Sequence, residues 1–288
     1  MIANPKFQNQ PKMFWAYVRT LSQQLGYTVR GQNQIKIPSI PELVAGLTVL
    51  GLDSTKLVKK GTETTTALGQ DLLDYFAYRA GVLNEKVQHH LMDAKAAKRL
   101  YDELLGHVHY PSPVPMNKQK GEKAKPSYFT AIINMLVAEG IKGAKCNYSP
   151  LALTTVTRDG TAIRTLSRRV DGAFPSIVNP VAVWEIKEYY YTTTFGSRIA
   201  DGVYETLVDG MELEELRENE KIDIKHYLMV DAYETWWLMG RSYLCRMVDM
   251  LHMRYVDEIL FGKEAIDRIP VITKEWLELL KSRGIGKK

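Results

Sequence analysis

The sequence contains little of what builds a disulfide scaffold or a cysteine-rich zinc site. It has only two cysteines in 288 residues, Cys146 and Cys245, and they lie far apart in the chain. Two isolated thiols exclude a small secreted fold held by several disulfides, and they match no metal-ligand spacing. The six histidines form neither an HExxH pattern nor a pairing with the cysteines. We therefore expect two reduced thiols in a cytoplasmic protein.

Long apolar runs and phosphate-binding glycine loops are also missing. No window approaches the ~18 to 20 uninterrupted apolar residues that a membrane-spanning helix needs. The first residues lack the basic and then apolar segment of a secretory signal. No GxxxxGK[ST], strand-linked GxGxxG or GxSxG pattern occurs. We expect no membrane partner, no Walker or dinucleotide-binding loop and no nucleophile elbow.

The charge is small in total but uneven along the chain. The formal net charge is +5. Residues 1–125 hold 17 Lys and Arg against 10 Asp and Glu, whereas residues 126–288 hold 21 against 23. A basic portion joined to a nearly neutral one fits a protein that binds a polyanion on one side, although a solvated basic face gives the same balance.

A change in composition divides the chain. Residues 107–125 contain three closely spaced prolines followed by a lysine-rich polar run, which is typical of a linker or an exposed loop. We predict a helical, basic N-terminal region over residues 1–106, which could recognise DNA. Residues 126–288 form a second unit with helices at its C-terminal end.

The N-terminal region shows helical periodicity throughout. The predicted helices span residues 11–25, 41–50, 67–83 and 86–105, with Ser39 and Asn84 as candidate N-caps. Residues 41–60 could form a helix-turn-helix whose second helix carries Lys56, Lys59 and Lys60, the candidate DNA-binding residues. A helical bundle with a basic exposed turn is the alternative.

The second unit alternates between helical and strand-like patterns. Helices are predicted over residues 128–139, 199–216 and 233–261, and strands over 152–177 (a hairpin turning at Asp159-Gly160), 181–186 and 227–230. This order predicts a mixed α/β fold, in which helices flank a central mixed β-sheet.

Three charged residues stand out in this unit. Asp171 ends the second predicted hairpin strand, and Glu185 and Lys187 lie near the end of the next strand. Because positions i and i+2 of a strand share a face, Glu185 and Lys187 should project together, while Trp184 and Ile186 point into the core on the other side. A charged pair on an apolar strand is costly to bury without a use.

The chemistry of phosphodiester hydrolysis calls for these residue types. Mg²⁺ prefers oxygen ligands and keeps several waters, so carboxylates of Asp171 and Glu185 with one phosphate oxygen would suffice to hold it. The metal lowers the pKa of a bound water and neutralises charge on the phosphate. Lys187 can orient or help deprotonate the attacking water and stabilise the transition state.

The hairpin aspartate followed by a buried strand that ends in Glu-x-Lys, between helices, resembles the PD-(D/E)XK nuclease superfamily, particularly type II restriction endonucleases. The resemblance covers roughly residues 126–262. It implies a Mg²⁺ cofactor, a double-stranded DNA substrate, metal ligands at Asp171 and Glu185, and a catalytic lysine at Lys187. Val170 departs from the proline that many members carry there. Some relatives add an acid from the preceding helix, for which Glu139 is the candidate, although a solvated helix end is the alternative.

We therefore predict a sequence-specific, Mg²⁺-dependent endonuclease of the restriction type. Cutting both strands requires two active sites, so a homodimer is the expected assembly. Two alternatives remain: a DNA-binding protein that keeps a nuclease fold without catalysis, and a structure-specific nuclease of DNA repair.

Overall fold

The computed structural model describes residues 1–59, 62, 64–117 and 124–283. It confirms the predicted mixed α/β class, with two sheets flanked by helices and a largely helical N-terminal region. The helices of that region are α1 (Pro5–Gln8), α2 (Lys12–Leu25), α3 (Ile40–Val49), α4 (Ala67–Val82), α5 (Gln88–His90) and α6 (Ala94–Leu105). The later helices are α7 (Tyr128–Gly140), α8 (Ser197–Glu220), α9 (Arg241–His252) and α10 (Glu264–Ser282).

The larger sheet has four strands. The two-stranded sheet comprises β1 (Thr155–Arg158) and β2 (Thr161–Thr165), and the larger one comprises β3 (Gly172–Phe174), β4 (Ala182–Glu188), β5 (Lys225–Asp231) and β6 (Glu258–Phe261). The larger sheet has the order β3-β4-β5-β6. Strand β3 is antiparallel to β4, whereas β4, β5 and β6 are parallel. Parallel strands need helices on both faces, which explains why the inner strands are apolar and buried along their length.

The two faces of the sheet bury different partners. On one face Trp184 stacks on Trp276 of α10, with ring centroids 5.3 Å apart, and α7 packs beside them. On the other face Leu228 and Val230 pack against α8 and α9. Strand alternation therefore sends Trp184 towards α7 and α10, and sends Glu185 and Lys187 towards α8.

Several sequence predictions are confirmed at the level of single turns. Ser39 and Glu42 form a capping box at the start of α3. Asp159 and Gly160 both have positive φ, 49° and 79°, as a tight turn between β1 and β2 requires. Helix α7 begins and ends within one residue of its predicted bounds.

Two predicted helices are wrong in extent. Helix α4 continues through a π-helical segment, Leu83–Val87, to α5, and a new helix α6 begins only after Asp93, which accepts a hydrogen bond from the backbone N–H of Ala96. The predicted helix over residues 233–261 is interrupted at Gly240 and ends at His252. Its last four residues form β6, because a short apolar run fits a buried strand as well as a helix.

The predicted hairpin and helix-turn-helix also differ from the structure. Strands β1 and β2 form a sheet of their own, so Asp171 precedes β3 instead of ending the hairpin. After α3 the chain makes a single 3₁₀ turn, Ser54–Lys56, and residues 57–59 form no second helix. Lys56 and Lys59 are exposed there, and Lys60 lies outside the described residues.

Residues 115–117, in the proline- and lysine-rich segment, pair with residues 125–127. The backbone N–H of Asn117 donates to Lys125 over 2.8 Å, and that of Ser127 donates to Pro115 over the same distance. The bridge between Met116 and Pro126 is antiparallel. None of the helices that the structure describes is long and apolar enough to cross a lipid bilayer.

A buried ion pair joins the N-terminal helices to the α/β core. Nη1 of Arg79 on α4 lies 3.0 Å from Oδ1 of Asp249 on α9, and both side chains are almost fully buried. The hydroxyl of Tyr75 donates to the same carboxylate over 2.6 Å, and Nη2 of Arg79 donates to Ser22 of α2 over 3.0 Å. These bonds satisfy most of the polar groups that burial takes from water.

We expect Asp249→Ala to destabilise the protein by about 3–5 kcal/mol, because it leaves the Arg79 guanidinium buried without a counter-charge. Urea unfolding of the purified variant measures the loss in the free energy of unfolding. Asp102→Ala is the matched control, since Asp102 pairs with Lys98 on the exposed surface of α6 and should contribute little. Equal losses in the two variants would contradict a structural role for the buried pair.

Candidate active site

The three predicted site residues lie on neighbouring strands. The pair Gly172 and Trp184 is in register between β3 and β4, and the backbone N–H of Asp171 donates to Trp184 over 3.0 Å. Oδ2 of Asp171 accepts from the backbone N–H of Ile186 over 2.9 Å. The Asp171 side chain therefore lies alongside Glu185 and Lys187, although it comes immediately before β3 and not at the end of the hairpin.

Glu185 is the buried centre of the site. Its side chain is 0% exposed, and Oε2 accepts a hydrogen bond from Nζ of Lys187 over 2.7 Å. Its other oxygen, Oε1, lies 3.0 Å from Nη1 of Arg168. A single carboxylate thus has two cations, one from its own strand and one from the loop before β3.

Helix α8 completes the site with two further carboxylates. Nη1 of Arg168 donates to Oδ2 of Asp209 over 2.5 Å, and Nη2 donates to Oε2 of Glu205 over 3.1 Å. Nζ of Lys187 lies 3.5 Å from the same oxygen of Glu205. Four acidic and two basic side chains therefore meet between the sheet and α8.

The close approach of α8 depends on a glycine. A Cβ on Gly202 would lie 2.8 Å from the hydroxyl of Tyr189 and 3.4 Å from Cδ of Lys187. A larger residue would be in ordinary contact with the lysine stem but would require the tyrosine hydroxyl to shift. Gly202, Thr206 and Asp209 all lie on the buried side of α8 at helical spacing.

Sequence reasoning missed Arg168, Glu205 and Asp209. The sequence did contain a signal for Asp209. Thr206 follows Gly202 by four residues and Asp209 follows Thr206 by three, a spacing that places this carboxylate on the inner face of the predicted helix. Arg168 stands three residues before Asp171, but nothing in that spacing shows that its side chain reaches Glu185.

The ionic contacts hold both members of the Glu185 and Lys187 pair in their charged forms. Burial favours neutral Lys187, but the carboxylates of Glu185 and Asp171 outweigh it and raise the pKa of the lysine. Burial likewise favours neutral Glu185, but Lys187 and Arg168 outweigh it and lower the pKa of that carboxyl. Lys187 is therefore an ammonium at neutral pH, suited to orienting water and stabilising negative charge.

Asp209 is in a different electrostatic position. Burial and then the negative charge of Glu185 raise the pKa of its carboxyl to about 7, against the lowering effect of Arg168 and Lys187. One of its oxygens, Oδ1, is buried and accepts no hydrogen bond from the described residues. Burying this oxygen without a hydrogen-bond donor costs free energy.

The other sequence candidates lie elsewhere. Glu139 is at the C-terminal end of α7, where it accepts from the backbone N–H and the imidazole Nδ1 of His109, over 2.9 and 2.7 Å. Both carboxylate oxygens of Glu139 are thereby engaged by His109, on the segment that follows α6. Lys56 ends the 3₁₀ turn and Lys59 follows it, and both are exposed.

Glu188 faces the opposite side of the sheet from Glu185. It accepts hydrogen bonds from the backbone N–H groups of Phe129 and Thr130, over 3.2 and 3.0 Å, and so anchors the start of α7. Burial raises the pKa of its carboxyl to about 7. Its position at the N-terminus of a helix explains its presence without a role in chemistry.

The oxygen donors of the site suit a hard divalent cation. Oε1 of Glu185 and Oδ1 of Asp209 are buried oxygens that accept no well-directed hydrogen bond among the described residues. Mg²⁺ takes such oxygens and completes its shell with water and phosphate. Within the part of the chain that the structure describes, no three acidic, histidine or cysteine groups converge as a ready-made metal site. The donor chemistry therefore fits Mg²⁺, but two cations stand among the carboxylates.

A surface cleft lies beside Arg168. It has a volume of about 520 Å³ and is lined by residues 151–153 and by Ser167, Arg168 and Arg169. Leu151 in this lining is 85% exposed. Arg168, whose side chain is 25% exposed, is therefore the site residue that borders the cleft.

Comparison with known proteins gives families without an assigned function. No curated protein and no solved structure matches the chain. One family model, a domain of unknown function named DUF7690, matches residues 1–86. Another, a domain of unknown function named DUF7687, matches residues 92–276, and these contain the whole candidate site. Because this second match spans more than half of the 288 residues, the chain belongs to the DUF7687 family.

Proposed function

We propose that the protein is a Mg²⁺-dependent endonuclease that hydrolyses double-stranded DNA at specific sequences, as type II restriction enzymes of the PD-(D/E)XK superfamily do. The observation that carries this proposal is that Asp171, immediately before β3, lies alongside Glu185 and Lys187 on the neighbouring strand β4. A carboxylate pair beside a lysine, at the end of a buried strand, is what metal-assisted phosphodiester hydrolysis requires.

Each residue has a distinct task in this proposal. Asp171 and Glu185 supply the oxygens that would hold Mg²⁺, which lowers the pKa of a bound water and neutralises charge on the phosphate. Lys187, already an ammonium, orients the attacking water and stabilises the extra negative charge of the transition state. Its contact with Glu185 fixes Nζ, so no reorganisation of the lysine is needed when DNA binds.

The proposal also covers partners and location. The basic residues of the N-terminal region, including Lys56, Lys59 and Lys60, would contact DNA phosphates, although the helix-turn-helix that motivated this assignment is absent from the described residues. A homodimer would provide one site for each strand, and light scattering of the purified protein tests it. The protein would act in the cytoplasm.

One observation favours the alternative of a DNA-binding protein without catalysis. Arg168 pairs with Glu185, and a guanidinium in that position opposes metal binding unless it can move. Incubating the protein with Mg²⁺ and plasmid DNA separates the alternatives. Discrete bands indicate a restriction activity, cuts confined to branched or damaged DNA indicate a repair nuclease, and intact plasmid with a retained gel shift indicates binding alone.

We expect Asp171→Ala and Lys187→Ala each to lower the rate of plasmid cleavage by at least about a hundredfold, because each removes a group needed in the transition state. DNA binding should persist, since it depends on phosphate and base contacts spread over a large surface. The measurements are cleavage with Mg²⁺ and a gel-shift titration without metal, on protein shown to be folded by circular dichroism.

The controls are Asp223→Ala and Lys225→Ala. These residues form a comparable ion pair of 2.7 Å at the opposite end of the neighbouring strand, β5, and should leave cleavage near the wild-type rate. Cleavage by a site variant at the wild-type rate would refute its catalytic assignment. Loss of binding in both folded site variants would support a recognition role instead.

We expect the triple variant Lys56→Ala, Lys59→Ala, Lys60→Ala to bind DNA more weakly and with a flatter salt dependence. Each lost phosphate contact should reduce the slope of log K against log salt by about 0.9. Fluorescence anisotropy at several salt concentrations measures the slope. Lys274→Ala with Lys281→Ala is the control, since both lysines are exposed on α10, across the sheet from the site. An unchanged slope in the triple variant would mean that these lysines face solvent.

A further inference from the structure

Arg168 makes an unusual set of contacts for a surface loop residue. Its guanidinium lies within 3.1 Å of carboxylate oxygens from Glu185, Asp209 and Glu205. Two of these carboxylates, Glu185 and Asp209, are 0% exposed. The same nitrogen, Nη1, contacts both of the buried ones, so it occupies the space between them.

The charges around that nitrogen are unequal. Arg168 and Lys187 form ion pairs with three carboxylates, those of Glu185, Glu205 and Asp209, and a fourth, that of Asp171, lies alongside Glu185. A cation located between two buried carboxylates lowers their mutual repulsion. A divalent cation in the same place would lower this repulsion with twice the charge, and the carboxylate oxygens would coordinate it directly.

A second observation points to a ligand in this space. Oδ1 of Asp209 is buried and has no hydrogen-bond donor among the described residues, and Oε1 of Glu185 contacts Arg168 without a well-directed hydrogen bond. A guanidinium offers its donors in a fixed planar fork, so it cannot saturate oxygens from three separate side chains. These two oxygens belong to the two buried carboxylates that Nη1 of Arg168 contacts.

The side chain of Arg168 is closer to solvent than that of Lys187. Its side chain is 25% exposed, and it lines the cleft formed with residues 151–153. Lys187, by contrast, is 5% exposed and packs against Gly202. Of the two cations, Arg168 is therefore the more exposed and the one that borders the cleft.

We propose that Arg168 is a resident cation that competes with divalent metal for Glu185, and that Asp209 is a further metal ligand, released when the guanidinium moves into the cleft. This inference rests on the proposed metal site. It explains how the carboxylates of Glu185, Glu205 and Asp209 are held together when no metal is bound.

The test is metal binding by purified full-length protein, without DNA. Free Mn²⁺, an ion that takes the same oxygen ligands as Mg²⁺, is followed by electron paramagnetic resonance during titration. We expect Arg168→Gln to bind Mn²⁺ about tenfold or more tightly than the wild type. Arg169→Gln, an exposed neighbour, should bind as the wild type does. Adding Asp209→Asn to Arg168→Gln should remove most of the gain.

Thermal unfolding provides a second readout. Without metal, Arg168→Gln should melt at a lower temperature than the wild type, because two buried carboxylates lose their shared counter-charge. Mn²⁺ should restore it and give a larger upward shift than in the wild type. If that variant does not fold, Arg168→Lys replaces it: the shorter ammonium cannot bridge three carboxylates, and binding should rise several-fold.

Mn²⁺ binding by the Arg168 variant no tighter than that of the wild type, including no binding by either, overturns the inference. Failure here and failure of the proposed function can be told apart. Cleavage of plasmid by the wild type together with unchanged Mn²⁺ binding in the variant rejects only the role of Arg168. Tighter binding in the variant without any cleavage by the wild type supports the metal site and rejects the nuclease.

Discussion

The carboxylate of Glu185 has no contact with water, and a charge in that position is stable only when its neighbours neutralise it. Lys187 does so from two residues further along the same strand, and Arg168 does so from the loop before β3. Arg168 also forms an ion pair with Asp209 of α8. Much of the arrangement between the sheet and this helix therefore follows from burying one negative charge.

The part of this site that lies on one strand could be predicted from the sequence. The two-residue period of a strand places Glu185 with Lys187 and places Trp184 on the opposite face, and the structure has both. Asp171 was also predicted to lie near Glu185, but from the wrong strand, because the turn signal at Asp159 does not show which sheet the hairpin joins. Contacts across elements, such as Arg168 with Asp209, depend on tertiary packing and have no local pattern.

The same limit explains the errors in the fold. The segment that becomes β6 has four residues, three of them apolar, and local periodicity cannot separate a buried strand from a continued helix over that length. Its identity is decided by pairing with β5, which is distant in sequence. The N-cap at Ser39, in contrast, depends only on residues within one turn, and it was predicted correctly.

The pairing of Arg79 with Asp249 affects how readily the N-terminal region could be separated from the rest of the chain. The two family models meet between residues 86 and 92, so this ion pair connects one matched region to the other. A fragment cut at that point would carry an isolated arginine or an isolated aspartate on a surface otherwise made for burial. Each matched region therefore supplies the counter-charge for a group that the other one buries, and separating them would cost both of them stability.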